Sequence, residues 1–323
     1  MNKTPTGLVS TSRSALISRD DDFSKKLLRY RELKKVESTY LKVMLSNLDS
    51  EDRLHAQFNQ AVTVTGRLSS SNPINLQNIP SRSDLGKKVR ELFKGDPKLI
   101  ICDWNQIELR LLAHFSKDSN LIMAFRQNLD VHTQTAKMIF NTEEPTKEQR
   151  YISKVINFSI VYGAGENTLT NSINSSGMGI VVTIEDSKKY LAAFKASYPD
   201  VAAWKAITVA QAKQIGYITT LLGRVIPIKN LRSTRWKDLR RAEREVVSYI
   251  VQGSAADIMK LAINKLAERL PNVPIVSTIH DELVIEHDSQ DILNIVKDVM
   301  ENCVTLEVPL VLDAKIVDNW SEK

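Results

Sequence analysis

Cysteine is scarce: the chain has two in 323 residues, Cys102 and Cys303. They lie far apart and lack metal-ligand spacing, which excludes a cysteine metal centre. Both read as reduced, buried residues of a reducing compartment. Long apolar runs are also missing. No stretch approaches the roughly 20 residues of a membrane span, and the polar N-terminus has no signal-peptide core. There is no internal repeat, and the polar lead Asn2 to Arg19 is expected to be weakly ordered. What remains is a chain long enough to bury a large core and to hold two or three subdomains. Its net charge of +6 suits a polyanionic partner, a bias that many soluble proteins share.

Three segments carry chemistry. In Arg150 to Gly163 (RYISKVINFSIVYG), Arg150, Lys154, Phe158 and Tyr162 recur every fourth residue. On a helix they form one stripe, cations at one end and rings at the other. The cations suit a triphosphate and the rings a stacked base; an amphipathic helix with snorkelling cations gives the same pattern. In Lys98 to Phe115, an apolar run of strand length ends at Asp103, and a helical pattern follows from Ile107. Asp103 therefore sits at a strand-to-helix junction, where a helix-capping residue is also common. His280, Asp281 and Glu282 form a polar tip between Ile275–Ile279 and Leu283–His287, which reads as a β-hairpin or an ordinary charged turn. Together the segments ask for one chemistry. Two aspartates on adjacent strand ends can hold two Mg²⁺ ions roughly 3.5–4 Å apart, which stabilise the attacking and leaving oxygens of an in-line displacement. Mg²⁺ needs only a few carboxylates beside phosphate oxygens and water.

These residues resemble the polymerase region of family A DNA polymerases, the bacterial DNA polymerase I family. Asp103 to Arg110 (DWNQIELR) resembles its first catalytic motif, Arg150 to Gly163 its nucleotide-binding finger helix, and His280–Glu282 its third motif. Thr65 to Pro80, Asp130 to Ala136 and Arg244 to Asp257 match further segments in the same order. The resemblance implies an α+β fold of right-hand architecture: a palm with an antiparallel sheet, helical fingers and a partial thumb. The expected blocks are residues 1–60 (partial thumb and connecting helix), 61–107 (palm, first part), 108–238 (fingers) and 239–323 (palm, second part). Coarse patterning places a long helix over Phe23 to Leu45, a turn between strands at Thr219–Arg224, a helix over 239–270, and a last strand near Val308 to Ile316. Loops are expected near Asn141–Pro145 and Asn171–Gly179.

The implied activity is DNA-templated addition of deoxynucleotides to a primer 3′ end, with two Mg²⁺ ions as cofactors and with primer–template DNA and dNTPs as partners. The setting implied is the cytoplasm of a bacterial or phage-infected cell. Asp103 and Asp281 become the metal ligands, with Glu282 a neighbouring carboxylate. Arg150, Lys154 and His132 grip the triphosphate, and Lys154 counts among the catalytic groups. Phe158 packs on sugar and base, Tyr162 holds the templating position, and Glu108 stands where a ribose hydroxyl would clash. Gln106 joins the nucleotide pocket. Arg67, Gln252, Arg244 and His280 contact DNA, Arg67 and Gln252 at the minor-groove edge. A single-subunit RNA polymerase or reverse transcriptase and a non-catalytic DNA-binding remnant are the competing readings. Trp104 and Asn105 stand where the family has Tyr and Ser, Ile74 looks inserted, and Ser248 replaces an Asn. The match begins inside the family's thumb, so the expectation is a chain without its own proofreading exonuclease. It is then either a minimal catalytic piece or one half of a split polymerase whose thumb and exonuclease lie on a separate N-terminal polypeptide.

Overall fold

The chain divides into two compact units. In the computed structural model, which describes residues 7–19, 21–81 and 83–322, the first unit comprises residues 1–59, 69–99 and 317–323. The second comprises residues 60–68 and 100–316.

The expected helix over Phe23 to Leu45 is present but not uniform. It runs as Asp22–Lys35, a π-helical stretch Val36–Leu41, and Lys42–Leu45. Asp21 caps its start by accepting from the Ser24 N–H. The π-helical stretch buries Val36 and Tyr40, and the Tyr40 hydroxyl donates to the Asn78 carbonyl at 2.7 Å. The polar lead differs from expectation: Arg13–Arg19 is a helix that buries Ala15 and Leu16, and residues 1–6 lie outside the described set. The same unit packs Arg90 and Phe93 on Trp320. The guanidinium sits 4.1 Å from the ring centroid and the Phe93 ring meets it edge-on.

The second unit holds the larger core. Four strands lie in the order Ile275–Ile279, Glu282–Glu286, Lys94–Trp104, Leu312–Asn319, of which the last two belong to this unit over residues 100–104 and 312–316. The first two form the expected antiparallel hairpin, in a register that pairs Ile279 with Glu282. The last strand begins four residues later than expected, because Val308 and Leu310 are buried outside the ladder before it. Thr219–Arg224 is the expected turn, between Tyr217–Thr219 and Val225–Pro227. The loop expected from Asn171 starts later, since the Glu166–Asn174 helix buries Leu169 and Ile173. With helices packed around antiparallel strands, the fold is α+β.

The helix Trp236–Arg269 contains one 18-residue window of mean hydropathy 1.3, enough by length and composition to cross a membrane, although no such run was expected. That window is 67% buried inside the protein, which is how a core helix passes the same test. Cys102 and Cys303 are buried free thiols, as expected.

Candidate active site

Every residue of the site belongs to the second unit. Its first wall is built by strand ends. Leu99 to Cys102 are buried in the sheet, and this anchors the strand so that Asp103 emerges at its end. The indole N–H of the buried Trp104 donates to the Met300 carbonyl at 3.1 Å. The Trp104 backbone N–H reaches the Asp281 carbonyl at 3.4 Å, which ties the Asp103 strand end to the hairpin tip. Gln106, in the left-handed region at φ 55°, then turns the chain into the helix Ile107–Ser116. Arg110 on that helix clamps the junction, donating to the carbonyls of Asn105 at 2.7 Å and Pro309 at 2.6 Å. Glu282 is 2% exposed beneath the tip. Burial pushes the Cys102 thiol up to about 12, and the negative charges of Glu282 and Asp103 add to the shift. The thiol is therefore a neutral packing group and both carboxylates are electrostatically close to it.

The second wall is the helix Lys147–Val161. A reciprocal capping box opens it: Thr146 Oγ accepts from the Gln149 N–H at 3.2 Å, and Gln149 Oε1 accepts from the Thr146 N–H at 2.9 Å. Arg150 donates to Asp130 at 2.6 Å, while Asp130 also caps the helix Val131–Phe140. Burial alone would raise the Asp130 pKa, but hydrogen bonds from Arg150 and Thr133 outweigh it and hold the carboxyl below its usual range. His132 is 4% exposed, and its ring lies 5.7 Å from that of Phe158. Burial, then the positive charges of Arg150 and Lys154, bring the His132 pKa down to about 4, against the pull of Asp130.

Glu108 joins the two walls. It accepts from Arg67 at 2.5 Å through one oxygen and from the Tyr162 hydroxyl at 2.9 Å through the other. Tyr162 is 44% exposed as a residue, yet its hydroxyl is turned in onto Glu108. Burial and that carboxylate push its pKa up to about 12. Gly163 follows at φ +64°, where a Cβ would stand 2.9 Å from Arg244 Cγ.

These walls enclose a cleft of about 540 Å³. Asp103, Asp281 and His280 line it from the sheet side, with Gln106, Glu108 and Arg67 beside them. Arg150, Lys154, Phe158, Tyr162 and His132 line it from the helical side. Glu282, Gln252 and Arg244 do not line it. Gln252 instead donates to Ser248 Oγ at 2.9 Å, so the Ser that departs from the family pattern engages a residue of that pattern. Within the cleft the Gln106 side-chain oxygen is buried and has no hydrogen-bond partner among the described residues. It is an acceptor available to an entering group.

Several participants were not foreseen. Asp313 lines the cleft as a further carboxylate and accepts from Asn105 at 3.2 Å. Arg224 donates to Asp257 at 2.8 Å and to the carbonyls of Thr65 and Gly253 at 2.7 and 3.1 Å, which locks the loop that carries Arg67. The guanidinium lies so close that a Cβ on Gly66 would meet it at 2.7 Å. Asn157 donates to His132 at 2.9 Å. A polar residue at 157 between the apolar Ile156 and Ile160 was a readable signal; nothing along the chain pointed to Arg224.

Two strand-end aspartates thus face a cationic helix across one cleft, and comparison with known proteins gives the family of the chain. The profile of DNA polymerase family A matches residues 1–322. DNA polymerase I of Geobacillus stearothermophilus is 38% identical over 335 residues, covering 99% of this chain and 37% of that protein. The thermostable DNA polymerase I of Thermus aquaticus is 37% identical over 328 residues, covering 98% of this chain and 38% of that protein. A solved structure of the POL domain of Pol1 from M. smegmatis, in complex with DNA primer-template and dNTP, superposes with a TM-score of 0.89 at 30% identity. It covers 99% of this chain and 58% of that one. This chain belongs to DNA polymerase family A; it spans little more than a third of the length of those curated relatives.

Proposed function

We propose that this chain is a DNA-templated DNA polymerase that adds deoxynucleotides to a primer 3′ end. The observation that carries the reading is the single cleft with Asp103 and Asp281 on one wall and Arg150, Lys154, Phe158 and Tyr162 on the other. In this reading residues 61–107 and 239–323 build the palm, 108–238 the fingers, and 1–60 the connecting helix and part of a thumb. The relatives named above are bacterial, which supports a bacterial or phage-infected cytoplasm as the setting.

The donor set fits Mg²⁺. Among the described residues no group of three or more His, Cys, Asp or Glu side chains forms a metal cage. A pair of carboxylates at the mouth of a cleft is what Mg²⁺ takes when phosphate oxygens and water complete its shell. Asp103 and Asp281 would hold two such ions, which when bound activate the primer hydroxyl and offset charge on the leaving oxygen. Arg150, Lys154 and His132 bind the triphosphate, and Lys154 keeps positive charge beside the departing pyrophosphate. Arg150 exchanges Asp130 for phosphate as the nucleotide enters. Phe158 packs on the sugar and base. Glu108, braced by Arg67 and Tyr162, occupies the space that a 2′-hydroxyl needs. Arg67, Gln252, Arg244 and His280 meet the DNA.

Primer extension with Mg²⁺ and dNTPs tests the reading. Asp103→Asn and Asp281→Asn should each lower extension by several orders of magnitude, since metal catalysis supplies several kcal/mol or more. DNA binding should persist, because phosphate contacts are spread over many cations. Near-normal extension by either variant would sink the assignment. Offering ribonucleotides in parallel separates a DNA from an RNA polymerase.

A further inference from the structure

The buried side of the finger helix carries a polar chain that the reaction as described does not use. The Tyr198 hydroxyl lies 2.9 Å from Thr135 Oγ. Thr135 Oγ donates to Asn157 Oδ1 at 3.1 Å, and the Asn157 side-chain N–H donates to His132 Nδ1 at 2.9 Å. Tyr198, Thr135, Asn157 and His132 are all buried. The chemistry of each group sets the direction of the chain. An amide oxygen only accepts, so Thr135 must donate to Asn157. Thr135 has one proton, so it must accept from Tyr198. The amide nitrogen only donates, so His132 Nδ1 must accept. Turning the Asn157 amide over would put Nδ2 on Thr135, and the single Thr135–Tyr198 contact would then use only one of their two hydroxyl protons, leaving the other without a partner in this chain of contacts. An unsatisfied buried hydroxyl of that kind is costly.

We propose that Asn157, held in turn by Thr135 and Tyr198, fixes His132 as the neutral tautomer with its proton on Nε2, which makes the ring a hydrogen-bond donor to a phosphate oxygen in the cleft. Nδ1 is occupied in the interior and His132 lines the cleft, so Nε2 is the nitrogen left for a ligand. The charged groups facing the ring are Asp130 on its own helix and Arg150 and Lys154 on the finger helix. Their balance, added to burial, keeps the ring neutral at pH 7. Burial pushes the Tyr198 pKa up to about 12, so the head of the chain keeps its proton. Asn157, Thr135 and Tyr198 are thus positioning residues. They supply a neutral donor between two cations, where a third positive charge would be repelled. The phosphate rests on the function proposed above; the tautomer does not.

Nitrogen NMR of the full chain labelled with ¹⁵N-histidine tests it, with His132→Gln assigning the His132 resonances among the five histidines. The wild type should show the neutral Nε2–H pattern from pH 6 to 8. An Nδ1–H pattern or an imidazolium at pH 7 overturns the proposal. Asn157→Asp puts an acceptor against Nδ1 and should convert the ring to Nδ1–H or imidazolium. A ring that keeps the wild-type pattern in that variant also overturns it. Tyr198→Phe and Thr135→Val should give mixed tautomers while the protein stays folded. Where Asn157→Asp gives the Nδ1–H ring, single-nucleotide incorporation should show kcat/KM for the nucleotide lowered about tenfold, the loss of one hydrogen bond to a charged group, with primer–template affinity unchanged. An unchanged kcat/KM beside an Nδ1–H ring, whose Nε2 has no proton to give, overturns the donor role. A wild type that extends no primer yet shows the Nε2–H pattern would defeat the proposed function and leave the tautomer standing.

Discussion

At the scale of single residues, environment decides what each ionisable group does. The folded His132 has a pKa of about 4, below its ordinary value of about 6.5. Between those values the unfolded chain takes a proton that the native state refuses. The stability tied to His132 is therefore intact above about pH 6.5 and is lost as pH falls toward 4. His132→Gln should remove that loss. Urea titrations of both proteins should converge or cross by on the order of 3 kcal/mol between pH 6.5 and 4, and parallel curves would contradict the burial argument. Glu108 is the second case. Both its oxygens are engaged, so its position depends on Arg67 and Tyr162. On the proposed function, Glu108→Ala should raise ribonucleotide use relative to deoxyribonucleotide, and Tyr162→Phe should do so to a smaller extent by freeing one oxygen. Equal discrimination by wild type and both variants, measured as the ratio of kcat/KM values, would mean that the sugar lies elsewhere.

At the scale of elements, the helix Lys147–Val161 depends on its two ends. Its start is closed by the Thr146–Gln149 capping box, and its end turns through Gly163 against Arg244. Gly163→Ala meets two obstacles: a left-handed φ of +64°, and an Arg244 Cγ at 2.9 Å. The conformational part alone costs roughly 1–2 kcal/mol. Arg244→Ala made in the Gly163→Ala background removes the Cγ contact but keeps Cβ at 3.0 Å and Cα at 3.2 Å, so it should recover part of the steric cost and make the pair non-additive in chemical denaturation. Strict additivity would show that Arg244 moves aside freely. The elements were largely legible in the amino-acid order. An apolar strand ending at Asp103, a hairpin around Asp281 and a fourfold stripe on the helix Lys147–Val161 are all periodic patterns. Less legible were the π-helical stretch at Val36–Leu41 and the late start of the strand Leu312–Asn319, because each answers to what it packs against.

At the scale of the whole molecule, the chain is two compact units with a net charge of +6, and the entire cleft lies in one of them. A cationic protein binding a duplex releases counterions, so log K for primer–template should fall linearly with log salt. Removing one phosphate contact, as Arg244→Ala would on the proposed function, should reduce that slope by about one and weaken binding to all sequences alike. An affinity that does not change with salt, measured by fluorescence anisotropy, would argue against phosphate contacts as its source.

Local order along the chain was enough to place Asp103, Asp281, Lys154 and their neighbours, because strand alternation and helical spacing depend on residues a few positions apart. The partnerships that make those residues a site span much larger separations. Glu108 meets Arg67 and Tyr162, Arg150 meets Asp130, Arg224 holds the loop before Arg67, and Tyr198 reaches His132 through Thr135 and Asn157. No periodicity links such positions. They become neighbours only when helices and strands dock, and burial then removes the water that would otherwise have satisfied each polar group.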